Sequence, residues 1–172
     1  MNFFLVAISV LVGGYFFVIF FLSRLLVPFM GFKQYSPPRE LSEEILKEIN
    51  ILVQDSHDQR SFLDAVYAFV QERWRSEHLK TFLKLKLIFR TDIGEIWHSR
   101  GYAHCTTINF ILYTMLVNSP YFKEEDIQIR HAFFNMVAHQ YLRVRVDGQW
   151  LDVDPSTVYT HEPVGKRARW FG

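Results

Sequence analysis

The dipeptide Asp147-Gly148 constrains the fold of this chain more than any other feature of its sequence. Asp-Gly between two stretches of alternating apolar residues is a strong signal for a two-residue, type I′ hairpin turn. It predicts one strand from His139 to Val146 and a returning strand from Gln149 to Asp154. Because a two-residue loop pairs the residues on either side of it, the turn determines the register of the whole hairpin.

The predicted register places His139 and Asp154 on the same face of the hairpin. Tyr141 lies opposite Asp154, and side chains alternate between the two faces of a strand. His139 and Asp154 are then diagonal neighbours with backbones about 7–8 Å apart, a separation that long or aromatic side chains bridge. Asp152 lies one pair further away, opposite Arg143, and is predicted to form a salt bridge with it. The other face is predicted to be apolar and to contain Leu142, Val144, Val146, Leu151 and Val153.

The chain has a single cysteine, Cys105, just before a predicted helix from Thr106 to Val117. One cysteine excludes an intrachain disulfide, and a lone cysteine is most often a small buried hydrophobic residue. At a helix N-terminus, however, the unpaired N–H groups and the helix dipole stabilise a thiolate, and the same N–H groups can stabilise an oxyanion. Together with the hairpin, the sequence therefore predicts Cys105 as nucleophile, His139 as base and Asp154 as the group that orients the base.

The order of these motifs resembles the transglutaminase-like superfamily, a papain-related group. The resemblance rests on a Cys that opens a helix, a His-x-aromatic strand and a Trp-x-x-x-Asp-Pro segment in the partner strand. It covers roughly Ser42 to Val158, and its specific part is Cys105 to Pro155. It implies an α+β domain with helices packed on an antiparallel sheet, and amide hydrolysis or acyl transfer through a Cys105 acyl-enzyme on a protein or peptide substrate, without a cofactor.

Two features differ from the family pattern. Ala103 occupies the position, two residues before the cysteine, where the family often has glycine, and no counterpart of an oxyanion-stabilising side chain is evident. These differences support an alternative prediction, a catalytically inactive binding or scaffolding domain of the same fold.

The uncharged run from Phe3 to Leu22 is about 20 residues long and, as a helix, would match the roughly 30 Å hydrocarbon core of a bilayer. The alternatives are a buried core helix and a cleaved signal peptide, but the basic start and small-residue cleavage site of a signal peptide are missing. Arg24, Lys33 and Arg39 follow the run and no basic residue precedes it. The positive-inside rule then predicts a single-pass membrane protein with a cytoplasmic C-terminal domain.

The predicted organisation has three parts: a membrane helix with an interfacial segment (1–31), a proline-containing linker (32–41) and the transglutaminase-like domain (42–172). Within the domain, Ser42 is predicted to cap a first helix, and a second helix is predicted from about Gln59 to Arg75. The segment from Thr81 to Phe89 is compatible with a helix or a strand. A further strand is predicted between Asp126 and Asn135, before the hairpin.

Composition limits the classes of partner. The chain is 49% hydrophobic, which predicts a packed core, and its net charge of +1 provides no field for nucleic acid. The expected partners are therefore the lipid bilayer and a protein or peptide substrate. No metal site is predicted, because the available histidines and the cysteine lack the short spacings of zinc sites. The residues considered for a metal were His98, His104, Cys105, His131 and His139.

Two aromatic residues near the cysteine have local interpretations. Trp97 is predicted to belong to the core rather than to a substrate cleft. His104 is predicted to be a surface or capping group, because adjacent residues on a helix or turn do not face each other.

Overall fold

The computed structural model describes residues 2–31, 35–76, 83–134, 137–155 and 163–166. It combines helices with a sheet and has an apolar helix at its N-terminal end. The first helix, α1, spans Asn2–Phe17 and continues through a π-helical segment, Val18–Leu22, and a last turn, Ser23–Leu26. The other helices are α2 (Glu43–Gln54), α3 (Gln59–Arg73), α4 (Ile93–His98) and α5 (Cys105–Val117). The strands are β1 (Trp74–Arg75), β2 (Gly101–Tyr102), β3 (Ile127–Phe134), β4 (Val137–Val146) and β5 (Gln149–Val153).

The N-terminal helix is long and apolar enough to cross a membrane. The apolar segment runs from Phe3 to Leu26, which is 24 residues, and its mean hydropathy is 2.6. In its most apolar 18-residue window, no residue is buried against the rest of the chain. It extends one turn beyond the predicted end at Leu22, with the Ser23 hydroxyl donating to the carbonyl of Ile19. Its last residue is Leu26. Val27 is extended, as expected for the residue before Pro28.

Helix α3 begins at a capping box that the sequence analysis did not identify. The Asp58 side chain accepts a hydrogen bond from the backbone N–H of Ser61 at 2.7 Å, and the Ser61 hydroxyl accepts one from the Asp58 N–H at 3.1 Å. The predicted end of this helix at Arg75 is wrong. Trp74 and Arg75 are extended instead, because they pair in parallel with Gly101 and Tyr102.

The hairpin has the predicted register. Val146 pairs with Gln149 and Arg143 with Asp152 in the antiparallel pairing of β4 and β5. Asp147 and Gly148 have φ angles of 49° and 80°, the left-handed values that a type I′ turn requires. Strand β3 lies on the other side of β4 and completes an antiparallel sheet in the order β3-β4-β5. The predicted strand before the hairpin is thereby confirmed.

Helix α5 is the centre of the fold. It packs against β4 on one side and α3 on another, and every residue from Thr106 to Val117 is buried. Aromatic rings cover a further side of the helix. Phe29 stacks on Phe110 with ring centres 3.9 Å apart. The Asn109 side chain donates to the backbone carbonyl of Gln140 at 2.7 Å, which ties the first turns of α5 to the strand that carries His139.

Two further local predictions have outcomes in the fold. Trp97 is 2% exposed and belongs to the core, as predicted, with its indole N–H donating to the Glu44 carboxylate at 3.0 Å. In the segment that was compatible with a helix or a strand, Leu85–Phe89 forms a 3-10 helix, whereas residues 81–82 lie outside the described residues.

Candidate active site

Cys105 is the first residue of α5, as the sequence predicts, and its side chain is half-buried. The chain enters this position from β2, and the N–H of Ala103 donates to the carbonyl of Arg75 at 3.1 Å. His104, in the N-cap position, makes no side-chain capping hydrogen bond. The first N–H groups of the helix are therefore not used by a side-chain cap at that position, and such N–H groups can stabilise negative charge.

His139 and Asp154 form a buried pair. Nε2 of His139 lies 2.7 Å from Oδ2 of Asp154, and the two side chains are 8% and 0% exposed. Asp154 directly follows β5, opposite Tyr141, so the hairpin register accounts for the contact. The backbone carbonyl of Asp154 also accepts a hydrogen bond from the Tyr67 hydroxyl at 3.1 Å, which fixes this end of β5 against α3. The predicted proximity of His139 and Asp154 is therefore present in the structure.

The His139 ring is held in its charged form. Burial lowers its pKa and is the largest single influence, but the negative charge of Asp154 and its hydrogen bond act in the opposite direction. A hydrogen bond and a charge interaction with Cys105 also raise the pKa, and the net result is about 10. The thiol therefore contacts the ring, and the ring carries a proton at neutral pH. The structure brings together all three residues that were predicted for the site.

Asp152 has a different environment from Asp154. It pairs with Arg143, with Nε and Oδ1 3.4 Å apart, and the two side chains are 43% (Arg143) and 25% (Asp152) exposed. This is the salt bridge that the hairpin register predicts. Asp152 lies within β5 and Asp154 directly after it, and Asp154 is the one whose carboxylate contacts His139.

The predicted surface position of His104 is wrong, because the residue is 3% exposed. The Tyr102 hydroxyl lies 3.3 Å from both ring nitrogens, and Nε2 is 3.4 Å from the carbonyl of Lys84. Burial lowers the pKa of the ring, and the hydrogen bond to Lys84 offsets this in part. His104 is thus a neutral, buried group that packs beside the start of α5.

Tyr35 packs on α5, a contact that was not predicted from the sequence. Its ring lies 5.6 Å from that of Phe110 and 5.7 Å from that of Tyr113, both on α5. Its hydroxyl is buried and has no hydrogen-bond partner among the described residues. Burial raises its pKa, and charge interactions with Tyr113 and Cys105 raise it further, so the hydroxyl stays protonated. It lies in the predicted linker, where nothing in the local sequence indicates a functional residue.

Within the described ranges, no three His, Cys, Asp or Glu side chains cluster so that they would hold a metal ion. The site instead offers a thiol, a ring in contact with it, a carboxylate behind the ring, and the N-terminus of a helix. Neither a protein-family model, a curated protein nor a solved structure matches the chain.

Proposed function

We propose that the protein is a membrane-anchored, transglutaminase-like thiol enzyme. Its reaction is attack by Cys105 on the carbonyl of an amide in a protein or peptide, followed by transfer of the acyl group to water or to an amine. The observation that carries the proposal is the buried His139–Asp154 pair, 2.7 Å apart, with its ring in contact with a cysteine at a helix N-terminus. This is the nucleophile, base and orienting acid that such chemistry requires.

Each group has a step in the proposed reaction. Asp154 holds Nε2 of His139, so Nδ1 is the ring nitrogen that exchanges a proton with the thiol. The Cys105 thiolate forms a bond to the carbonyl carbon, and the His139 imidazolium gives its proton to the amine as the C–N bond breaks. The neutral ring then takes a proton from the attacking water or amine. The C–S bond breaks, and the thiolate and the charged ring are restored.

The developing oxyanion has two kinds of donor nearby. The first is the backbone N–H of the helix N-terminus at Cys105. The second is the Tyr35 hydroxyl, which is buried, has a charge interaction with Cys105, and has no acceptor among the described residues. A buried donor that lacks an acceptor in the resting protein costs about 1–3 kcal/mol. A transition-state oxygen would provide that acceptor, which is why we assign Tyr35 to the oxyanion site.

Removal of the Tyr35 hydroxyl is expected to slow acylation without loss of the fold. Tyr35→Phe keeps the ring contacts with Phe110 and Tyr113 and should lower the acylation rate about 100-fold, as loss of one oxyanion donor does in other acyl-transfer enzymes. The matched control is Tyr121→Phe, because that hydroxyl donates to the Ser56 carbonyl at 2.9 Å, away from the cysteine. Equal acylation rates for the two variants would remove Tyr35 from the mechanism.

The differences from the family pattern do not favour the alternative of an inactive scaffolding domain. Ala103 is 5% exposed and belongs to the core, so its methyl group is accommodated beside the site. In this proposal, Tyr35 supplies the oxyanion donor that the sequence pattern lacks. The structure therefore gives no specific reason to prefer a binding or scaffolding function.

The membrane anchor in this proposal is the helix from Phe3 to Leu26, which crosses the bilayer once. Arg24, Lys33 and Arg39 follow its apolar part, so the domain lies on the cytoplasmic side. The carbonyl of Phe29 accepts a hydrogen bond from the Gln140 side chain at 2.6 Å. Because Gln140 is next to His139, this contact holds the candidate site near the cytoplasmic surface of the membrane.

A direct test is acylation of the full chain, in a nonionic detergent, by the activated ester p-nitrophenyl acetate. We expect a burst of p-nitrophenolate equal to the amount of protein, and mass spectrometry should find the acetyl group on Cys105. Cys105→Ala should show neither. The proposal fails if the folded protein is acylated no faster than the same chain unfolded in urea, where the thiol has no neighbours to activate it.

A further inference from the structure

A cavity of about 470 Å³ lies between the end of α3 and the paired strands β1 and β2. This volume falls within the range of small-molecule sites. Three arginines and one glutamate in its lining give a formal charge of +2. The lining residues are Phe69, Glu72, Arg73, Arg75, Arg100 and Gly101.

Arg73 is positioned in advance of any ligand. The carbon at the centre of its guanidinium group lies 4.5 Å from the centre of the Phe69 ring and 5.1 Å from that of Trp97. These cation–π contacts restrict the side chain. Its Nη1 is buried and has no hydrogen-bond partner among the described residues. The cation–π contacts make Arg73 a fixed positive charge in the wall of the cavity.

Arg75 and Arg100 add two exposed positive charges to the same cavity. The parallel pairing of β1 with β2 places Trp74 opposite Gly101 and Arg75 opposite Tyr102. Arg75 and Arg100 both lie next to the Trp74–Gly101 pair, so the pairing brings them to the same cavity. Within the described ranges, no carboxylate lies within salt-bridge distance of either arginine. Charges of one sign that are held together repel each other unless an anion neutralises them.

We propose that this cavity binds a phosphate-bearing ligand through Arg73, Arg75 and Arg100. A phosphate monoester carries a charge of about −1.5 to −2 at neutral pH, which matches the +2 of the lining. The planar guanidinium group binds phosphate oxygens through two parallel hydrogen bonds. The cavity is larger than a phosphate group, and the organic part of the ligand would lie along Phe69. The proposal does not depend on the chemistry at Cys105.

Binding of inorganic pyrophosphate tests the proposal, measured by titration calorimetry on the full chain in a nonionic detergent. We expect the wild type to bind, and the double variant Arg75→Gln/Arg100→Gln to bind at least tenfold more weakly. These two side chains are exposed, so the fold should survive. Arg73→Lys keeps the charge but loses the planar group, and should also weaken binding. Arg130→Gln is the control, because Arg130 is exposed on β3 and does not line the cavity.

Reconstitution into vesicles identifies the source of the phosphate. The rise in Tm is compared for phosphatidylcholine vesicles with and without phosphatidic acid, and for phosphatidylcholine vesicles with pyrophosphate added. A larger rise with phosphatidic acid indicates a lipid headgroup, and a larger rise with pyrophosphate indicates a soluble phosphate compound. Absence of any response to both probes overturns the proposal, and so does equal binding by the wild type and the double variant.

Discussion

Replacement of His139 with alanine is expected to slow the acylation of Cys105 by p-nitrophenyl acetate by at least about 10³-fold. Loss of one member of a nucleophile–base–acid set lowers the rate of known hydrolases by about 10⁴ to 10⁶. In the proposed mechanism, the variant removes the group that exchanges a proton with the thiol and, since the ring is charged at neutral pH, the positive charge beside it. The measurement is the rate of p-nitrophenolate release in the burst.

The control for this variant is His98→Ala. The His98 side chain is 69% exposed and lies 3.8 Å from the Glu44 carboxylate, so its removal should leave the acylation rate unchanged. Circular dichroism of His139→Ala must show the wild-type helix content, because the variant leaves Asp154 buried without its partner. Wild-type acylation by a folded His139→Ala protein would contradict the assignment of His139 as the group that activates the thiol.

Replacement of Asp154 with alanine is expected to lower the free energy of unfolding by about 3–5 kcal/mol at pH 7. Removal of one partner of a buried ion pair leaves the other without compensation, and this is the size of the effect in other proteins. The Asp154 carboxylate is fully buried against a ring that is 8% exposed, so water cannot replace it. Urea unfolding of the full chain in a nonionic detergent measures the change.

The matched control is Asp152→Ala, the same substitution two residues earlier. Its ion pair with Arg143 is 3.4 Å long and partly exposed, and such pairs contribute about 0–1 kcal/mol. Equal losses in the two variants would show that the His139–Asp154 pair is not the strong contact that its geometry indicates.

The effect of Asp154→Ala should also depend on pH. Folding raises the pKa of His139 from 6.5 to about 10, so the charged pair contributes its full stability below pH 6.5. That contribution is lost as the pH rises toward and through 10, because the folded protein then loses the proton. The free energies of unfolding of wild type and Asp154→Ala should therefore converge above pH 10.

Local turn and helix-end chemistry explains why the hairpin and the start of α5 could be predicted. Asp147 and Gly148 select a turn type whose length determines the register, and the register alone places Asp154 next to His139. The same holds for the N-terminal helix, since length and composition suffice to recognise an apolar segment of this kind. These features depend on residues that are close together in the sequence.

The features that escaped prediction depend on residues that are far apart in the sequence. Tyr35 contacts α5 only because its segment packs there, and a tyrosine two residues before a pair of prolines has no pattern that reveals this. Strands β1 and β2 are two residues long, too short for an alternating pattern, so Arg75 was assigned to a helix. His104 is buried through contacts with Tyr102 and Lys84.

The most direct test of the account is the rate at which iodoacetamide alkylates Cys105 at pH 6, in the wild type and in His139→Ala. Alkylation needs a thiolate but no acid to protonate a leaving group, so it isolates the effect of the ring on the thiol. Ordinary thiols are almost entirely protonated at this pH and react slowly. We expect the wild type to react at least tenfold faster than the variant, and equal rates would contradict an activated Cys105–His139 pair.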